Sequence, residues 1–310
     1  MRLRIRQLAL VALLPALVPF APARAAEAID PAADPPAGVE AGPSPGPPAP
    51  AASGARKSSD APLDWAQVGR DAGYVFGRPA HLDRRGWAKL AWAVGIGASL
   101  YLVREQTRDF IQDHADQFHG GVLDAARKMG NAATPVAASL GFWIAGEARD
   151  SAYDKETATL LLENLGYAGA ISGMMQLVIV SERPRDGNTV TFLAPPVGHS
   201  ASGDVTIAAS ILAPIIDRHL LVEDDDGRGV RFWKRFGQVG LYGTAGLVAV
   251  QRMWSDAHWL PDVYFGYVNG LGVGRMLVDS RKGGREWRDE RRHKRVAVTA
   301  TASGLRITWP

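Results

Sequence analysis

Between Leu63 and Val278 the chain runs in apolar stretches of 12 to 18 residues, each closed by a charged or Gly/Pro-marked turn. Strands are usually about 5 or 6 residues long, so runs of this length predict helices and leave no room for a parallel sheet. About six are expected: Leu90–Val103, Ala132–Gly146, Leu160–Val180, Val205–Ile216, Phe236–Val250 and Val263–Val278. Alanine and glycine dominate them, which suits close helix packing in water or in lipid. The longest uncharged run, Asn164 to Ser181, is 18 residues and carries Asn164 and Gln176. A membrane span needs about 20 apolar residues. The expectation is therefore a soluble, exported all-α bundle, with an integral membrane bundle whose site faces the periplasm as the alternative.

The ends differ from this middle. Residues 1–25 carry Arg2, Arg4 and Arg6, an apolar run from Leu8 to Phe20, and Ala23-Arg24-Ala25, the layout of a signal peptide cleaved before Ala26. Eight of the twenty prolines fall between Pro31 and Pro50, so 26–60 reads as an extended linker that cannot bury enough apolar surface to fold. The helical domain covers 61–280. Beyond it, 281–295 holds eight basic residues, a candidate contact for lipid headgroups, and a β-hairpin is expected around Ala302-Ser303-Gly304.

Composition then excludes several chemistries. There are no cysteines, so disulfides, thiolate metal sites and cysteine nucleophiles drop out, and seven histidines remain for proton chemistry near neutral pH. The net charge of +3 suggests a basic protein, but residues 1–25 contribute four arginines and no acid, so the mature chain falls to −1. A nucleic-acid partner is no longer called for.

Three polar clusters interrupt the apolar pattern, each at the end of an expected helix. Gln176 and Arg183 are seven residues apart, on one stripe of a helix that Pro184 then stops, which leaves the guanidinium at the helix end as an oxyanion partner. Gly198-His199-Ser200-Ala201-Ser202-Gly203-Asp204 precedes the run from Val205; it reads as an N-cap, and a helix start of this kind also favours anions. Arg252 is followed six residues later by His258, with Asp262 one helical turn beyond it. A carboxylate that holds one imidazole nitrogen leaves the other as base or nucleophile.

Arg183-Pro184, the Ser202-Gly203 helix start and Arg252-(x)5-His258-(x)3-Asp262 together resemble the three motifs of the type-2 phosphatidic acid phosphatase and haloperoxidase superfamily: K-x6-R-P, P-S-G-H and S-R-x5-H-x3-D. The resemblance covers about Leu63 to Val278. It implies a helical bundle of that type and a phosphotransfer site that uses no metal or organic cofactor. His258 would form a phosphohistidine, Asp262 would orient it, and Arg183 and Arg252 would clamp the phosphate, with the amides around Ser202 and Gly203 taking developing charge.

The chain departs from the motifs at three places. Gln176 stands where the family has lysine, and Gln251 where the third motif has serine. In the second motif either Ser202-Gly203-Asp204 aligns, putting Asp204 at the position of the leaving-group acid, or Pro196-Val-Gly-His199 aligns and supplies His199. The expected function is an exported phosphatase acting on a phosphorylated small molecule, a phospholipid or an isoprenoid phosphate. Two other readings are an impaired relative that binds a phosphate headgroup without turnover and, more weakly, a vanadate-dependent haloperoxidase.

Overall fold

The computed structural model describes residues 65–117, 120–193, 198–283, 297–301 and 304–308. The signal peptide, the linker, most of the basic run and the Ala302-Ser303 turn lie outside the described residues. The described chain is mostly helical: α1 Trp65–Gly77, α2 Arg84–Leu100, α3 Arg104–Asp113, α4 Gly120–Met129, α5 Ala133–Ala148, α6 Ala152–Val178, α7 Gly203–Ser210, α8 Arg228–Trp254 and α9 Leu260–Gly283. A helical turn at Leu212–Ile215 and a π-helical turn at Ile216–Leu220 continue α7. Two small antiparallel pairs complete it, β1 Ile179–Ser181 with β2 Val190–Phe192, and β3 Ala297–Thr301 with β4 Gly304–Thr308. The terminal pair matches the expected hairpin.

All six expected helices form, most of them longer than their apolar runs, because polar caps lie outside those runs. Asp83 accepts a hydrogen bond from the Gly86 amide at 2.7 Å and starts α2; Ser151 does the same for Asp154 at 3.2 Å and starts α6. Helices α1, α3 and α4 were not among the six expected, being short and amphipathic rather than uniformly apolar.

Gln176 and Arg183 do not share a helical stripe: α6 ends at Val178, and Ile179–Ser181 turns into a strand paired with Val190–Phe192. The β-branched Ile179 and Val180 suit that pleat. Arg183 thus sits in the turn of the hairpin, where its carbonyl accepts from the Asp186 and Gly187 amides.

The centre of the fold is α9 packed against α6 and α7. Gly266, Gly270 and Gly274 recur every fourth residue on α9. A Cβ at Gly266 would lie 2.5 Å from the Ser202 carbonyl, and one at Gly270 would meet the Thr206 carbonyl. The stripe therefore lets two helix backbones touch. Around it Ala208, Leu212, Val248, Met253, Val263 and Leu271 form the main core, and Val75, Leu160, Leu277 and Val278 a second one.

Polar side chains inside the apolar runs cross-link the helices. The buried Asn164 amide of α6 donates to the Ser210 carbonyl, and Asn269 of α9 donates to Ala168 of α6 at 2.9 Å. At the far end of α9, Arg281 joins two buried carboxylates, Asp71 of α1 at 2.8 Å and Glu163 of α6 at 2.6 Å.

Among the described residues, many large apolar side chains lie exposed on the outer helices. Among the described residues one helical stretch, Arg84–Asp113, is long and apolar enough to cross a membrane, and only 6% of its most apolar window is buried. Trp87 and Trp92 on α2, Val136, Leu140 and Ile144 on α5, and Phe232, Trp233, Phe236 and Val239 on α8 are all exposed.

Candidate active site

The three polar clusters, far apart in sequence, converge at one end of the bundle. The start of α7, the end of α8 and the start of α9 meet there, and the β1–β2 hairpin closes one side. The stripe of glycines sets this geometry, because Gly266 against Ser202 places the start of α7 beside Asp262. The Ser202 amide donates to the Asp262 carbonyl at 2.9 Å.

His258 stands in the link between α8 and α9 and is 9% exposed. Its backbone and that of Ala257 donate to the Arg252 carbonyl, at 3.3 and 3.1 Å. Its Nδ1 lies 3.1 Å from the His199 carbonyl, an acceptor only, so Nδ1 carries the hydrogen and Nε2 keeps its lone pair. Asp262 was expected to orient the ring. It stands 4.0 Å away, beyond hydrogen-bond distance, and its Oδ2 accepts instead from the Trp259 amide at 3.0 Å. Orientation of the imidazole therefore rests on a backbone carbonyl, while burial pushes the nearby Asp262 carboxyl up to about 7.

Desolvation pushes the His258 imidazole down to about 3, and the charges of Arg252 and His199 add to the effect. His199 is shifted down as well, by burial first and then by Arg183. His199 accordingly belongs to the site twice, through its carbonyl on His258 and through a ring within electrostatic reach of both His258 and Arg183.

The loop that presents Ser202 is strapped to the end of α6. Gly198 donates to the Gln176 carbonyl and His199 to the Ser181 carbonyl, and Ser200 Oγ to the Met175 carbonyl at 3.1 Å. Ala201 has a positive φ of 55°, an uncommon conformation for a residue with a side chain. Its carbonyl accepts from Ser172 Oγ at 2.9 Å and from Gln176 Nε2 at 3.2 Å. Gln176, expected as a phosphate contact, is thus a positioning residue: its amide donates to the loop backbone. Ser202 is fully buried, its Oγ finds no hydrogen-bond partner among the described residues, and it does not cap α7 with its side chain. Among the described residues, nothing lies within 4 Å of where a Cβ on Gly203 would stand.

Two guanidinium groups belong to the same region, Arg252 through its ion pair with Asp204 in the first turn of α7 and Arg183 through its charge on His258 and Arg252. Among the described residues, the buried Nε–H groups of Arg183 and Arg252 find no hydrogen-bond acceptor. Asp204 Oδ2 approaches Arg252 Nε to 3.1 Å as an ion pair. The Nε–H is not aligned for a hydrogen bond to it. The two candidates for the acid position therefore separate: Asp204 is engaged with Arg252, while His199 is attached to the His258 side.

Two further arginines of the site region, both on α3, did not stand out in the sequence. Arg108 makes a two-pronged contact with Asp256, Nε–Oδ1 2.7 Å and Nη2–Oδ2 2.6 Å, and holds Asp256 at a φ of 54° just before His258. Arg104 stacks over the Trp259 ring at 4.9 Å, while Trp259 Nε1 donates to the Glu182 carbonyl at 2.8 Å. Their spacing of four residues, directly after an apolar run, was the available signal. No family model, curated protein or solved structure matches the chain.

Proposed function

We propose that the chain is an exported phosphatase, built on a bundle of the type-2 phosphatidic acid phosphatase kind, that works through a phosphohistidine. The observation that carries this reading is the environment of His258: a tautomer set by the His199 carbonyl that leaves the Nε2 lone pair, within electrostatic reach of Arg183 and Arg252, whose buried Nε–H groups make no hydrogen bond among the described residues. Such donors suit the oxygens of a transferring phosphoryl group.

In this mechanism the Nε2 lone pair of His258 attacks phosphorus as the bond to the leaving oxygen breaks. That oxygen takes a proton from protonated His199. Water then attacks the phosphohistidine, the N–P bond breaks, inorganic phosphate leaves, and the proton of the water returns to His199. Arg183, Arg252 and the amides at Ser202 and Gly203 hold the phosphoryl oxygens, and Asp262, whose carboxyl burial pushes up to about 7, stabilises the imidazolium where it is ionised. The test is hydrolysis of a chromogenic phosphomonoester from pH 4 to 8 with a chelator present, followed by acid-labile phosphate on the protein. Turnover that disappears in His258→Ala supports the reading. Turnover no higher than that of His258→Ala at every pH overturns it. Arg183→Ala should lower the rate by about a hundredfold or more.

A second reading, a protein that binds a phosphate headgroup without turnover, is favoured by the Asp204–Arg252 pair and by Gln176, which adds no charge to the clamp. Phosphate binding without hydrolysis would select it.

The exposed large apolar side chains of α2, α5 and α8, and the one helical stretch apolar enough to span, support a place in the membrane rather than free in the periplasm. They also support a lipid phosphate as substrate. Retention of the chain in membranes after alkaline carbonate extraction is expected; release into the soluble fraction would return it to the periplasm.

A further inference from the structure

Asp204 is the second residue of α7 and faces the end of α8, with its Oδ2 3.1 Å from Arg252 Nε. Its side chain is more than a third exposed, whereas that of Arg252 is largely buried. Among the described residues, the guanidinium groups of Arg127, Arg183 and Arg185 also act on Arg252. The Asp204 carboxylate therefore answers a local surplus of positive charge around Arg252. Gly130, in the link between α4 and α5, fixes its position: a Cβ there would lie 2.9 Å from the Asp204 Cβ. Packing from that side leaves the carboxylate directed at Arg252. It also sits in the first turn of α7, where an anion is favoured by the exposed amides.

We propose that Asp204 is an internal competitor of phosphate: its carboxylate holds Arg252, an incoming oxyanion must displace it, and residue 204 thereby sets how tightly the site takes phosphate. The inference rests on the phosphate reading above and assigns Asp204 a role other than proton donor. An aspartate at this position makes the two functions of an oxyanion ligand, neutralising a guanidinium and occupying a helix start, available within the chain itself. It selects for a ligand that brings enough charge to replace it, such as a phosphate dianion, over a singly charged sulfonate or carboxylate.

The test is calorimetric titration of the full-length protein with inorganic phosphate and with tungstate. Asp204→Asn is expected to bind both at least about tenfold tighter than the natural chain. Asp204→Glu, which keeps the charge, should stay close to the natural affinity. In the Arg252→Gln background the gain from Asp204→Asn should vanish, since the contested group is gone. Should Asp204→Asn fail to fold, Asp204→Ser carries the same comparison. Unchanged or weaker binding by the neutral variants, with Arg183→Ala still weakening the natural chain, overturns the competitor role while leaving the phosphate site in place. Absence of phosphate and tungstate binding in every variant overturns the phosphate reading and this inference with it.

Discussion

At the scale of single residues the chemistry turns on a histidine held almost out of water. Burial lowers the His258 imidazole to about 3, against about 6.5 for a histidine in water. The neutral form, the one with a nucleophilic lone pair, therefore persists in the folded protein well below neutrality. Linkage gives the sign: the unfolded chain takes up this proton near pH 6.5 and the folded chain does not until about pH 3. The contribution to stability is full above about 6.5 and declines as pH falls through that window. In an NMR titration the His258 Hε1 resonance should show no inflection between about pH 5 and 8. An inflection near 6.5 would mean that the ring is hydrated and the site more open than the structure has it. Gln176 carries the other lesson at this scale. Its place in the sequence suggested an anion contact, yet its amide reaches the Ala201 carbonyl, because the loop carrying a positive φ there needs donors to fix it.

At the scale of elements, the site depends on how closely α7 and α9 approach. The glycines at 266, 270 and 274 are what permits it, and Gly270 has the Thr206 carbonyl where a Cβ would stand. Gly270→Val should separate the two helices, move Ser202 away from Asp262, and destabilise the protein by about 3 kcal/mol, the scale of overpacking in a close-packed core. Thermal denaturation checks the stability, and loss of phosphate binding checks the displacement; a variant that melts and binds like the natural chain would remove the stripe from the account. The repeat of glycines was visible in the sequence, whereas the element it faces was not. The hairpin at Ile179–Phe192 shows the converse limit. Helical periodicity extended smoothly through Val180, and only the pairing partner eleven residues on decided that the chain turns to strand.

At the scale of the whole molecule, two ends of one bundle hold different charge arrangements. One has the arginines and histidines of the candidate site. The other has Arg281 between Asp71 and Glu163, joining α1, α6 and α9. Removing one partner of a buried ion pair leaves uncompensated charge, so Arg281→Met should cost about 3 kcal/mol in a denaturation experiment, although it lies at the opposite end of α9 from His258. A loss under about 0.5 kcal/mol would class the cluster with solvated surface pairs. The apolar exterior of α2, α5 and α8 belongs to this scale too. The apolar runs left water and lipid both open, because exposure is a property of how helices are arranged.

The sequence by itself determined the helical class, since runs of 12 to 18 apolar residues have no other economical way to satisfy their backbone groups. It also determined which residues are candidates for chemistry, because charged and imidazole groups interrupt those runs at few places. Tertiary structure alone decided which atom holds His258, that Asp204 faces Arg252, that Gln176 serves the loop, and that α3 supplies Arg104 and Arg108. The physical reason is range: periodicity and caps act within a few residues of the chain, whereas hydrogen bonds and ion pairs join whatever the packing of helices brings within about 3 Å.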